Sequence, residues 1–152
     1  MVVQKQFGAA MVEFALIMPF LLLLTFMVTE YSRALHQYDV LTKSVRDGAR
    51  YLSMQQPNTK ITQAKNLMVY GNLAGTGSPL VLGLTTSHIP NPVWTTTGTS
   101  PVMITVTVQI GTGAAGAATR YRFVPLFGSV FGTTFGSAEF APITATMRSG
   151  AS

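Results

Sequence analysis

The apolar positions divide the first third of the chain into two segments with different patterns. From Ala9 to Thr29 the sequence is almost entirely apolar, and its one charged residue is Glu13. About twenty such residues is the length that an α-helix needs to cross the ~30 Å hydrocarbon core of a bilayer. Because a charge inside a membrane span is energetically unfavourable, Glu13 is a candidate functional residue.

The segment after Thr29 has the pattern of an amphipathic helix. Apolar residues recur every three or four positions, which places them on one helical face. They are Ala34, Tyr38, Leu41, Val45, Ala49 and Leu52. The other face is predicted to carry Arg33, Gln37, Asp39, Lys43, Arg46, Asp47 and Arg50. After Thr29 no proline occurs before Gln56-Pro57, so we expect one helix from about Ala9 to Met54, roughly 65–70 Å long.

The second half of the chain contains the alternating pattern of half-buried strands. The clearest strand is predicted over 102–110, where apolar residues alternate with Met103, Thr105, Thr107 and Gln109. Further strands are expected over 119–124 and 142–147, a shorter one over 80–84, and a helix over 59–70. The predicted fold class is α+β: a long N-terminal helix, transmembrane and then amphipathic, packed on a small antiparallel sheet.

Composition restricts the functional classes. The 152 residues include no cysteine, which excludes disulfides, zinc–thiolate sites and a cysteine nucleophile. The net charge of +5 comes without a dense run of Lys or Arg, so we expect no nucleic-acid partner. His36 and His88 lack the spacing of metal ligands, and no serine-centred elbow occurs. The sequence therefore predicts no catalytic residue, no metal and no cofactor.

Two motifs in the second half have more than one interpretation. Residues 111–116 match GxGxxG, but no long helix and no suitably placed acid follow, so a hairpin loop is the better interpretation. Four phenylalanines recur every four residues: Phe123, Phe127, Phe131 and Phe135. This series is either an aromatic flap over the core or a surface for partners or membrane.

The beginning of the apolar segment carries a family resemblance. The run Gly8-Ala9-Ala10-Met11-Val12-Glu13-Phe14 resembles the processing site of a type IV-like prepilin. In that family a membrane aspartyl peptidase cuts after the glycine, and a glutamate stands fifth in the mature chain. Glu13 is the fifth residue counted from Ala9. The resemblance therefore implies cleavage between Gly8 and Ala9.

The longer pattern GAAMVEFALIMPFLLLL…EYSRAL…SVRDGARYL is similar to the TadE-like minor pilins (pseudopilins) of bacterial tight-adherence pili. The residues that match include Pro19, Glu30, Arg33, Arg46, Gly48 and Arg50. Phe14 stands where the major pilins of such systems usually have tyrosine, which favours a minor component. The resemblance implies a pilin-like fold and a structural, non-enzymatic subunit that acts in pilus assembly or initiation, adhesion and biofilm formation.

Four regions follow from the resemblance together with the hydropathy pattern. They are a leader over 1–8, a transmembrane half-helix over 9–29, an amphipathic half-helix over 30–56 and a small extracytoplasmic domain over 57–152. The resemblance implies a single-pass protein of the bacterial inner membrane, with its N-terminus cytoplasmic and its C-terminal domain periplasmic or in the pilus. The implied partners are the prepilin peptidase, other pilin and pseudopilin subunits, the inner-membrane assembly platform and the lipid bilayer.

Alternatives stay open for the whole chain and for two of its residues. The chain can instead be an uncleaved bitopic scaffold of the same machine, or a periplasmic binding domain or enzyme on an anchor. Glu13 either pairs with the α-amino group that cleavage creates on Ala9, setting the register of subunit docking, or is only an acid favoured by the helix dipole. Pro19 removes one helical hydrogen bond and can bend the span.

Overall fold

One long helix, α1 (Phe7–Ser53), forms the spine of the molecule. The computed structural model describes residues 7–98, 103–111, 120–126, 129–130, 133–134 and 136–150. The 47 residues of α1 correspond to about 70 Å of helix, and the helix continues through Pro19. This confirms that the apolar and amphipathic segments form a single element.

The remaining described residues form one short helix, a 3₁₀ turn and seven strands. The helix is α2 (Ile61–Tyr70), and the 3₁₀ turn covers Thr86–His88. The strands are β1 (Val93–Thr97), β2 (Met103–Ile110), β3 (Arg122–Phe123), β4 (Ser129–Val130), β5 (Thr133–Thr134), β6 (Ala138–Glu139) and β7 (Ile143–Arg148). The main antiparallel sheet has the order β1-β2-β7, while β3 pairs with β6 and β4 with β5.

The core lies between the second half of α1 and the main sheet. Strand β2 buries Val106, Val108 and Ile110 at alternate positions, as its pattern predicts. They join the apolar face of α1, where Leu41, Val45, Ala49 and Leu52 are at most 1 % exposed. Helix α2 adds Ala64, Met68 and Val69 to the same core. The α+β fold class is therefore confirmed.

The prediction of a strand over 80–84 is wrong. The Leu80 N–H donates to the Val69 carbonyl (2.7 Å), and the segment then turns through Gly83, whose φ is +80°. Val81 and Leu84 are buried, and their spacing of three residues fits a turn that covers the end of the core. The apolar residues of this segment therefore contact the core but do not pair as a strand.

The strand predicted over 119–124 is much shorter and lies outside the main sheet. Only Arg122 and Phe123 form a ladder, and they pair with Glu139 and Ala138. The third strand of the main sheet is β1, which pairs with β2 from Val93↔Thr107 to Thr97↔Met103. The end residues Val102 and Thr119 of two predicted strands, residues 112–116 of the glycine-rich motif, and Phe127, Phe131 and Phe135 lie outside the described residues.

Candidate functional site

The first half of α1 presents an apolar surface that is mostly exposed in the part of the chain that the structure describes. Its best 18-residue window has a mean hydropathy of 2.3, and none of that window is buried. Within this surface Phe14 is 61 % exposed, and Glu13 and Pro19 are exposed as well. In the described part of the chain, α1 is the one helix long and apolar enough to cross a membrane. It is compatible with a single-pass membrane anchor.

A charged cluster lies where this exposed half ends. Arg33 Nη1 donates to both carboxylate oxygens of Glu30, at 2.8 and 3.0 Å. Glu30 Oε1 also accepts the backbone N–H of Leu126 at 3.1 Å. The Arg33 guanidinium lies 5.6 Å from the centre of the Phe123 ring, within the range of a cation–π contact. Glu30 and Arg33, which the sequence singled out as pattern residues, thus join α1 to a segment about ninety residues later.

This later segment, 121–126, runs antiparallel to α1 towards its exposed half. The Tyr121 hydroxyl donates to Gln37 Oε1 (2.9 Å) or to the Leu82 carbonyl (3.0 Å). Phe123 then lies at Arg33, and Leu126 lies at Glu30. Burial raises the pKa of the Tyr121 hydroxyl, and the Arg33 charge opposes that rise. The segment therefore packs over Arg33 and Gln37, which the sequence placed on the polar face of the helix.

An apolar groove lies between α1 and the later part of the chain at this junction. Its volume is about 390 Å³. The α1 wall consists of Leu23, Phe26, Met27, Glu30, Tyr31 and Ala34. The opposite wall consists of Phe123, Pro125, Gly136 and Ala138. A side chain added at Gly136 would meet no atom within 4 Å, so this wall leaves the groove open.

Two arginines and one glutamate form an ion-pair cluster at the β3–β6 ladder. Arg120 and Arg122 donate to the Glu139 carboxylate at 2.8 and 2.7 Å. These hydrogen bonds hold the pKa of the Glu139 carboxyl below its ordinary value. Successive residues of a strand point to opposite faces, so the ion pairs lie on the face of the β3–β6 ladder opposite Phe123 and Ala138 of the groove wall. The chain pattern carried a signal for this cluster, because residues two apart on a strand share a face.

The remaining pattern residues of α1 have separate surroundings. Gly48 is buried, and Met68 of α2 lies against it. Arg46 and Arg50 are exposed on the helix, away from the core. The structure therefore groups Glu30 and Arg33 at the groove and assigns Gly48 to helix packing. In the described residues no three His, Asp or Glu side chains come together as metal ligands would.

Comparison with known proteins bears on the N-terminal helix. Residues 8–50 match the family model described as TadE-like protein. No curated protein and no solved structure matches the chain. The matched region begins at Gly8 and contains Glu13, Pro19, Glu30, Arg33 and Gly48. The resemblance seen in the sequence is thereby confirmed: residues 8–50 form a TadE-like segment.

Proposed function

We propose that the chain is a non-enzymatic minor pilin-like subunit of a tight-adherence pilus, cut between Gly8 and Ala9 and anchored through 9–29. The observation that carries the proposal is the division of α1. Its first half is apolar and mostly exposed in the described structure, whereas one face of its second half is buried under a small sheet domain. A helix of this kind is suited to stand in lipid alone or against the corresponding helices of other subunits.

Glu13 is the residue proposed to set the register of assembly. In the uncut chain the nitrogen of Ala9 is in a peptide bond to Gly8 and carries no charge. Cleavage would place an ammonium on Ala9, one helical turn and about 6 Å along the axis from Glu13. In an apolar helix bundle this ammonium, on the same chain or a neighbour, can neutralise the carboxylate. A subunit docked out of register would leave both charges unpaired, which is unfavourable.

The partners follow from this role. The prepilin peptidase would act on Gly8, and other pilin and pseudopilin subunits and the inner-membrane assembly platform would contact the exposed half of α1. The domain after residue 57 would lie in the periplasm or on the pilus. Roles in pilus initiation, adhesion and biofilm formation would follow from incorporation.

Substitution of Glu13 tests the proposal. Glu13→Gln keeps the side-chain shape and removes the charge, so the variant should be inserted and cut like the parent but fail to join other subunits. Glu13→Asp should restore part of the incorporation, because the charge returns on a shorter side chain. The readouts are cross-linking of the mature chain to pilus subunits and the number of surface pili. Normal cross-linking and piliation by Glu13→Gln would show that Glu13 is only an acid at the helix start and does not set the register.

A further inference from the structure

The apolar groove has properties that the pilin-like role does not require. It begins at Leu23, inside the segment expected to lie in the bilayer, and extends to Ala34, beyond the apolar segment. The Leu23 end of the groove is therefore continuous with a lipid-facing surface, on which Leu24 and Val28 are 60 % and 57 % exposed. We propose that this groove binds one acyl chain of a membrane phospholipid. The proposal rests on the membrane anchoring proposed above.

The dimensions of the groove favour one alkyl chain over a helix. Leu23 and Ala34 are eleven residues apart, which corresponds to about 16 Å along the helix axis. A volume of about 390 Å³ spread over that length gives a narrow channel. An α-helix with its side chains is about 10–12 Å wide, so a single turn of it would already fill a comparable volume. A neighbouring pilin helix can therefore lie over the groove but does not fit inside it.

The Ala34 end of the groove suits a phospholipid headgroup, because Ala34 lies beyond the apolar segment of α1. The Glu30 carboxylate at the groove wall already accepts hydrogen bonds from Arg33 and the Leu126 N–H, so its charge is neutralised there. An acyl chain running from this end towards Leu23 would place its headgroup at the aqueous side.

Photo-cross-linking in a bilayer tests the proposal with the full chain. The protein is reconstituted in phosphatidylethanolamine–phosphatidylglycerol vesicles that contain a phospholipid with a diazirine in its acyl chain. We expect lipid adducts on Leu16 and Phe20, which face lipid directly, and also on Pro125 and Ala138 of the groove wall. Gly136→Leu enlarges a residue of the groove wall at which an added Cβ meets no atom within 4 Å, so the adducts on Pro125 and Ala138 should fall by about tenfold.

Two further variants make the result specific. Ala34→Leu fills the same groove from the helix side and should also suppress the adducts, which keeps the test valid if Gly136→Leu folds poorly. Ala141→Leu adds the same side chain at an exposed position outside the groove and should leave the adducts unchanged.

The outcomes separate the two proposals. Adducts on Leu16 and Phe20 without adducts on Pro125 and Ala138 would overturn the groove proposal and leave the membrane anchor intact. Groove-wall adducts that persist in Gly136→Leu and Ala34→Leu would also overturn it, because they would report contact with the bilayer surface only. Absence of adducts on Leu16 and Phe20 would contradict the membrane anchor itself, and the groove proposal with it.

Discussion

Met68 packs directly on Gly48, with its Cγ and Sδ atoms 2.6 Å from the point where a side chain on residue 48 would begin. Real Cβ contacts are longer than this, so a side chain on residue 48 requires the Met68 side chain to move. Met68 is fully buried and belongs to the core. Gly48 is thus explained by close helix packing, although glycine lowers helix stability by about 1 kcal/mol relative to alanine.

Gly48→Ala should therefore destabilise the domain by about 1–3 kcal/mol, the usual range for overpacking, in spite of its better helix propensity. For a domain of this size the melting temperature falls by about 4–8 °C per kcal/mol. Thermal unfolding of the detergent-solubilised chain measures the effect. Gly136→Ala is the matched control, since nothing lies within 4 Å of its added carbon. In a Met68→Ala background Gly48→Ala should lose most of its effect; an unchanged effect there would contradict the packing explanation.

The hydrogen bond between Glu30 and the Leu126 N–H predicts how the segment 121–126 is held. Glu30→Gln removes the charge that Arg33 neutralises, and both side chains are mostly buried at 15 % and 26 % exposure. Exchange of the Leu126 amide hydrogen should become roughly tenfold faster, equivalent to about 1.4 kcal/mol. Hydrogen exchange with mass spectrometry or NMR measures this.

The control for Glu30→Gln is Asp39→Asn. Asp39 pairs with Lys43 at 2.7 Å on the same helix, but their side chains are 59 % and 68 % exposed. Exposed pairs of this kind contribute little, so Asp39→Asn should not change exchange at Leu126. Equal effects of the two substitutions, or none from Glu30→Gln, would show that Glu30 does not hold the segment.

Glu139 predicts a pH dependence of the β3–β6 pair. Its carboxyl pKa is lowered from about 4.5 by hydrogen bonds from Arg120 and Arg122. A lowered folded-state pKa means that the ion pairs stabilise the fold above the unfolded pKa and that this contribution is lost as the pH falls below about 4.5. The parent should therefore melt above Glu139→Gln at pH 6, and the difference should disappear on acidification. A difference that stays constant down to pH 3 would contradict this assignment.

Local patterns account for the elements that could be predicted. Alternation in β2 and the three-to-four spacing on α1 follow from burial of one face, so Val106 and Leu41 were assignable to the core. Strand β1 shows no such alternation, because Thr95, Thr96 and Thr97 are all exposed and are held by backbone pairing to β2. Its sequence alone does not distinguish a strand from a loop.

The junction at the groove had no local signal. Glu30 and Leu126 are 96 residues apart, and Tyr121 and Gln37 are 84 apart. Such contacts depend on where the sheet places the end of β3 relative to α1. The charges on Glu30 and Arg33 were visible in the sequence, but the N–H and the aromatic ring that they contact were not.

The N-terminal residue of the mature chain tests the central claim most directly. The full chain and Gly8→Leu are each expressed with the prepilin peptidase of the same system, extracted from the membrane, and analysed by N-terminal sequencing and intact mass. The account predicts that the parent begins at Ala9 and that Gly8→Leu keeps residues 1–8, because a branched side chain blocks the peptide bond to be cut. A parent chain that still begins at Met1 would contradict processing and favour an uncleaved bitopic scaffold. A Gly8→Leu chain that begins at Ala9 would contradict the role of Gly8.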